Sequence, residues 1–104
     1  MVVWMGEFGR TPKVDYSSQW QGGRHHWPHV QSVVLAGAGV KGGQVYGSSD
    51  PQAGYPKDNP VKPEDVCSTV YRCLGIDPTT EIIDSLGRPQ KLTEGGTVIE
   101  KLLL

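Results

Sequence analysis

Glycine and proline interrupt this chain so often that regular structure is confined to a few short segments. Both residues break helices and strands, glycine through its backbone freedom and proline through its fixed φ and missing N–H, and 14 glycines and 8 prolines fall among the 104 residues. Residues 6–29 hold four glycines, two prolines and the polar run Tyr16-Ser17-Ser18-Gln19, the composition of a long loop. Gly37, Gly39, Gly42 and Gly43 make a second break, and Pro51, Pro56, Pro60 and Pro63 make residues 48–63 a third.

The segments left over read as follows. Val2-Val3-Trp4-Met5 is a short apolar run predicted as a buried strand, and Val30–Ala36, β-branched at Val30, Val33 and Val34, as another. Gln44-Val45-Tyr46 is expected as a brief edge strand. Pro63 at a first helical position, Glu64 and Asp65 in the first turn, Val66, Val70, Tyr71 and Leu74 at helical spacing and Gly75 as the stop define a helix. Its apolar face is expected to pack on the sheet. A polar loop then runs through Gly87-Arg88-Pro89 to Thr97-Val98-Ile99-Glu100, which has the form of a capping box and predicts a short second helix.

With 37% hydrophobic residues there is material for one core, so residues 1–104 are expected to form a single unit. The formal charge is −1, with 10 basic and 11 acidic residues mixed along the chain, which leaves no electrostatic footprint for nucleic acid or an anionic membrane surface. No apolar run approaches the roughly 20 residues that span a bilayer. Met1 to Met5 lacks the pattern of a signal peptide and reads as a strand cut close to its beginning, the expectation being that the chain is the end of something longer. Cys67 and Cys73 lie six positions apart in one predicted helix, about 9 Å along its axis. That exceeds disulfide reach, so both are expected as buried thiols.

Chemistry concentrates in the first loop. Gly6-Glu7-Phe8-Gly9-Arg10-Thr11-Pro12 follows the first strand, where open α/β sheets keep their ligands, and Gly23-Arg24-His25-His26-Trp27-Pro28-His29 follows later in the same loop. Trp20 and Trp27 supply apolar surface that can pin the loop down. His25, His26 and His29 are of a type that ligates metals, with Glu7 or Asp15 able to complete a hard or borderline site; packing against tryptophan is the plainer alternative for the histidines. Glu7 either contributes to such a site or caps a turn and pairs with Arg10. Arg10 either clamps an anionic group or pairs with Glu7 or Asp15. Gly37-Ala38-Gly39-Val40-Lys41-Gly42 matches a dinucleotide fingerprint by letter. No helix can begin there, because Gly43 through Gly47 and then prolines follow, so a glycine turn is the reading kept.

The motifs Val3-Trp4-Met5-Gly6-Glu7-Phe8-Gly9-Arg10-Thr11-Pro12, Gly23-Arg24-His25-His26-Trp27-Pro28, Leu35-Ala36-Gly37-Ala38-Gly39-Val40-Lys41-Gly42-Gly43 and Tyr46-Gly47 resemble, in order and spacing, the C-terminal part of domain-of-unknown-function family 1501. These are sulfatase-like proteins related to the alkaline phosphatase superfamily. Pro63-Glu64-Asp65 through Pro78, and Asp84 through Pro89, are similar to the closing helix and loop of sulfatases. The resemblance implies an α/β fold: the C-terminal portion of an alkaline phosphatase-like doubly wound sheet, with short strands, a long loop and two helices. It implies a divalent metal ion as cofactor and a sulfate or phosphate ester as substrate. Glu7 and His26 are the metal-ligand candidates, with His25 where the family usually shows aspartate and Arg10 as an anion contact. The nucleophile and first metal-binding residues are implied upstream of this chain, and so is any export signal; relatives are often exported.

The leading expectation is therefore the C-terminal fragment of a metal-dependent sulfatase- or phosphatase-like hydrolase, inactive alone. The alternative is a non-catalytic binding or interaction module that uses the Trp/His-rich loop. A truncated sheet is expected to expose strand faces and edges, and so to self-associate.

Overall fold

Val2–Met5 forms strand β1, as its β-branched and aromatic residues require. In the computed structural model, which describes residues 1–17 and 19–104, β1 pairs with a later strand in one of several two-stranded sheets. The described residues make a small, strand-rich, mixed structure with one α-helix and short antiparallel sheets. Their contacts group into two compact units, one of Val2–Leu35 with Val45–Pro60, the other of Met1, Ala36–Gln44 and Val61–Leu104.

In the first unit β1 pairs with β4 (Val33–Ala36), which starts later than the expected Val30. The long loop is more ordered than its composition predicts. β2 (Gly9–Arg10) and β3 (His26–Trp27) form an antiparallel ribbon with Gly9 opposite Trp27 and Arg10 opposite His26. A bridge between Asp15 and Gly23 closes the connection between them. Glycine is required at position 9, since a Cβ there would run into the Val30 carbonyl.

Gln44–Tyr46 is not a strand; pairing starts at β5 (Ser48–Ser49), against β6 (Pro56–Asp58). This hairpin lies in the stretch expected to be irregular. Proline is tolerated because a two-stranded ribbon consists of edges and the register shifts between Ser48 and Ser49. The Asp50 carboxylate holds the hairpin's turn by accepting the N–H groups of Gly54 and Tyr55 at 2.8 and 3.1 Å.

In the second unit the helix α1 runs over Pro63–Cys73. At its start the Asp65 carboxylate accepts the Lys62 N–H at 2.9 Å, half of a capping box, the lysine ammonium having no acceptor to return. At its end Gly75, at φ +77°, donates to the Arg72 carbonyl and Ile76 to the Tyr71 carbonyl, a Schellman motif. The fully buried positions of α1 are hydroxyls, Ser68 and Thr69. Ser68 meets Thr93 at 3.3 Å, and Thr69 Oγ1 accepts the Ile99 N–H at 3.0 Å while donating to the Asp65 carbonyl. The helix thus packs on the segment 93–99, and the expectation of an apolar face laid on a sheet is corrected. Cys67 is exposed and Cys73 half-buried, both free, which corrects the expectation of buried thiols.

Two further corrections concern the C-terminal third. The polar loop after α1 contains a hairpin, β7 (Glu81–Ile83) with β8 (Pro89–Lys91), because Asp84 accepts the N–H groups of Leu86 and Arg88 at 2.8 and 2.9 Å and so builds the turn. The second expected helix is only a 3-10 turn at Glu100–Leu102. Its last residues are drawn into extended pairing instead, the Leu104 N–H donating to the Gly39 carbonyl and the Lys41 N–H to the Leu102 carbonyl, both at 2.8 Å. The chain then leaves through a bridge from Leu103 to Val40, just after the glycine turn at Gly37–Gly39.

Among the described residues no hydrophobic side chain is buried. All four residues of β1 are exposed, Val2 at 60% and Trp4 at 74%. Among the described residues no helix is long and apolar enough to cross a membrane.

Candidate functional site

The β2–β3 ribbon carries the site. Its register sets Arg10 across from His26, and Glu7, in the turn between β1 and β2, reaches the same imidazole. Glu7 Oε1 lies 2.8 Å from His26 Nε2 and 3.8 Å from an Arg10 guanidinium nitrogen. The Phe8 ring stacks on His26 with centroids 5.2 Å apart. The side chains of Glu7, His26 and Arg10 are 62, 55 and 49% exposed. Ion pairs this open to water add little stability, so folding alone is a weak reason for the arrangement. The Glu7 carboxyl is held below the usual carboxylate range, first by its own backbone N–H and then by the His26 and Arg10 charges, so Glu7 is an anion at neutral pH.

His25 has a different partner. Its Nε2 lies 2.9 Å from Asp15 Oδ2. Asp15 also accepts the Ser17 N–H at 2.8 Å, and its carboxyl is lowered chiefly by that backbone donor and then by His25. The edge of Trp20 meets the His25 ring at 4.7 Å. The backbone on either side is tied down, Thr11 N–H donating to the His25 carbonyl and the His25 N–H to Thr11 Oγ1.

Trp27, the residue after His26, points to the other face of the ribbon. Its Nε1–H donates to the Gly54 carbonyl at 2.6 Å, and its ring contacts His29 and Tyr55. His29 and Tyr55 also meet, at 4.8 Å.

Of the residues singled out by the sequence, Glu7 and His26 are brought together with Arg10 beside them, and His25 is paired elsewhere. Among the described residues no group of three or more His, Cys, Asp or Glu side chains gathers as a metal cage would require. Sequence reasoning offered Asp15 as a metal ligand or a partner for Arg10 and did not find its pairing with His25. The signal for it was Asp15 and Gly23 flanking a turn-rich segment, which pairs Asp15 with Gly23 across the turn, two residues before His25. Phe8 carried no signal of its own, whereas Trp20 was expected to pin the loop down and is found against His25.

At 2.8 Å His26 Nε2–H donates to the Glu7 carboxylate; once that proton leaves, the oxygen and the ring nitrogen are two donors of the kind that bind borderline divalent cations, and a half-exposed arginine beside them is suited to an anion. No curated protein and no solved structure matches the chain. The family described as "Protein of unknown function (DUF1501)" matches residues 1–103, the motifs of the ribbon included, and the chain belongs to that family.

Proposed function

We propose that this chain is the C-terminal part of a metal-dependent, sulfatase- or phosphatase-like hydrolase of the alkaline phosphatase superfamily. The observation that carries the reading is the contact of Glu7 Oε1 with His26 Nε2 at 2.8 Å, just past the end of β1. The two donors fit part of a divalent metal site, the remaining ligands coming from the rest of the parent domain. Glu7 and His26 would hold the cation, which when bound polarises the ester oxygen and offsets charge on the attacked group. Arg10 binds and orients the anionic sulfate or phosphate. The exposed apolar strand β1 supports the same reading: with β4 it is a piece of a larger doubly wound sheet whose other strands and helices cover it.

Elemental analysis of the chain after metal loading and dialysis tests the proposal. Bound divalent metal that is lost in His26→Ala and in Glu7→Gln is the expected result; no metal in the wild type overturns it. The isolated chain should not turn over aryl sulfates or phosphates, and metal-dependent turnover at enzyme-like rates would overturn the claim of incompleteness.

A second reading, a binding module for a glycan, is favoured by the exposed His29 and Tyr55 rings grouped with Trp27. It predicts quenching of tryptophan fluorescence by oligosaccharides, abolished in Trp27→Ala, with no dependence on metal.

A further inference from the structure

On the ribbon face opposite His26, Trp27 is anchored by its indole N–H, which donates to the Gly54 carbonyl at 2.6 Å. Gly54 is buried. The turn that presents it is closed twice, by the Asp50 carboxylate on the Gly54 and Tyr55 N–H groups and by the Asp50 N–H, which donates to the Tyr55 carbonyl at 2.9 Å. Tyr55 is thus set on a fixed backbone at the start of β6. His29 completes the group, with ring centroids 4.7 Å from Trp27 and 4.8 Å from Tyr55.

The three rings are not equivalent. Trp27 is half-buried and its polar atom is spent on the backbone, whereas His29 is exposed and Tyr55 is 52% exposed. An exposed ring already fixed by its neighbours loses little freedom when a ligand lies on it. The phenol hydroxyl and the imidazole nitrogens add polar groups at the rim of that apolar surface.

Geometry and charge narrow what can lie there. A quaternary ammonium sits between rings that surround it, and these rings touch one another at 4.7–5.7 Å between centroids, with no gap for it. A polyproline segment docks in an aromatic-lined groove; planes inclined at 43–69° to one another fill the space a groove would need. Single-stranded nucleic acid stacks along a positive track, which a chain of charge −1 with its signs mixed does not offer. A pyranose fits what is left. In a β-1,4-linked glucan every substituent is equatorial, so a flat face of C–H bonds can lie on one ring while the hydroxyls reach sideways to polar groups beside it.

We infer that Tyr55 is the stacking platform for a β-linked, glucan-type oligosaccharide, with His29 as its hydrogen-bonding neighbour and Trp27 as the anchor that orients both. The inference rests on the reading of this face as a glycan-binding module. It assigns the ring that touches the sugar and the class of sugar that fits it.

The test is a titration of the 15N-labelled chain with cellotetraose, followed in proton–nitrogen spectra. The amides of Trp27, His29, Gly54 and Tyr55 should shift. Tyr55→Leu, which keeps an apolar side chain but removes the ring, should weaken binding about tenfold, and His29→Ala about threefold. Tyr55→Phe, which keeps the ring, should stay within about threefold of the wild type. Tyr16→Leu is the control, since Tyr16 is 81% exposed and lies outside the cluster, and it should change nothing. The amides of Ser48, Ser49, Lys57 and Asp58 report whether the hairpin survives each substitution. Nuclear Overhauser contacts between the Tyr55 ring and the sugar C–H protons in the wild type carry the test if the leucine variant does not fold.

Equal binding by Tyr55→Leu and the wild type, or an equal loss in Tyr16→Leu, overturns the inference while leaving a glycan-binding module standing. No shift at these amides with millimolar cellotetraose overturns both. Shifts at the same amides with choline or an oligoproline peptide, and none with the sugar, overturn the assignment of the ligand.

Discussion

Arg10 stands directly opposite His26 in the β2–β3 ribbon, and Glu7, three residues before Arg10, closes onto the His26 ring at 2.8 Å. The meeting of carboxylate and imidazole therefore depends on a backbone register and not on a local motif. Whatever shifts the ribbon separates the pair.

Gly9 is where that register is most easily broken. A methyl at this position runs into the Val30 carbonyl, so Gly9→Ala should destabilise the chain by about 1–3 kcal/mol in urea denaturation. It should also abolish the cross-strand proton contacts between residues 10 and 26. Gly39→Ala is the control for general glycine effects: nothing lies near its Cβ, and only backbone strain at φ +83° is added.

Part of this structure was legible because part of it is local. The helix follows from Pro63, the acidic first turn and Gly75, all acting within a few residues of the ends they define. β2 and β3 are two residues each, too short for any periodicity to register. The turn at Asp84 depends on one side chain that captures two backbone donors, and the second helix is lost because Leu102–Leu104 pair with Gly39–Lys41, far earlier in the chain. Asp65 and Thr69 likewise hold the Thr97 and Ile99 N–H groups across sequence separations of 32 and 30. Glu7 and His26 were identifiable as chemistry-bearing residues; their contact was not, because it needed that same long-range pairing.

Asp65 ties the start of α1 to Thr97, and its carboxyl lies below its ordinary value because of the Thr97 and Lys62 backbone donors. A depressed folded-state pKa contributes stability that is fully present above the ordinary value of 3.8 and is lost as pH falls through the depressed one. The chain should therefore lose stability on acidification below about pH 4. Asp65→Ala should cost about 1–2 kcal/mol at neutral pH and flatten the acid limb of a stability profile measured by urea denaturation.

Thr69 should be the most sensitive hydroxyl. Thr69→Val keeps the shape of a fully buried side chain but strands the Ile99 N–H, a change expected to cost about 1–3 kcal/mol. Hydrogen exchange should show Ile99 and the Glu100–Leu102 turn losing protection before α1 does.

Glu7→Gln, in contrast, should leave the thermal midpoint where it is, since the pair is open to solvent on both sides. Metal loading of the two proteins should differ sharply. A large fall in midpoint would mark Glu7 as a structural residue.

The exposed face of β1 should drive association. Sedimentation velocity is expected to show concentration-dependent oligomers, reduced by Trp4→Lys, which places a charge on the strand's most exposed ring.

The hydroxyl-lined packing of α1 has a calorimetric consequence. Heat capacity on unfolding comes from newly hydrated hydrocarbon and is offset by newly hydrated polar groups. Among the described residues the fully buried side chains are Ser68 and Thr69 and no hydrophobic side chain is buried, so unfolding releases less of the first than in a chain with a closed apolar core. Melting of this chain should be broad, its response to denaturant shallow, and its free energy of unfolding nearly a straight line against temperature, with no pronounced dome and no cold limb within reach.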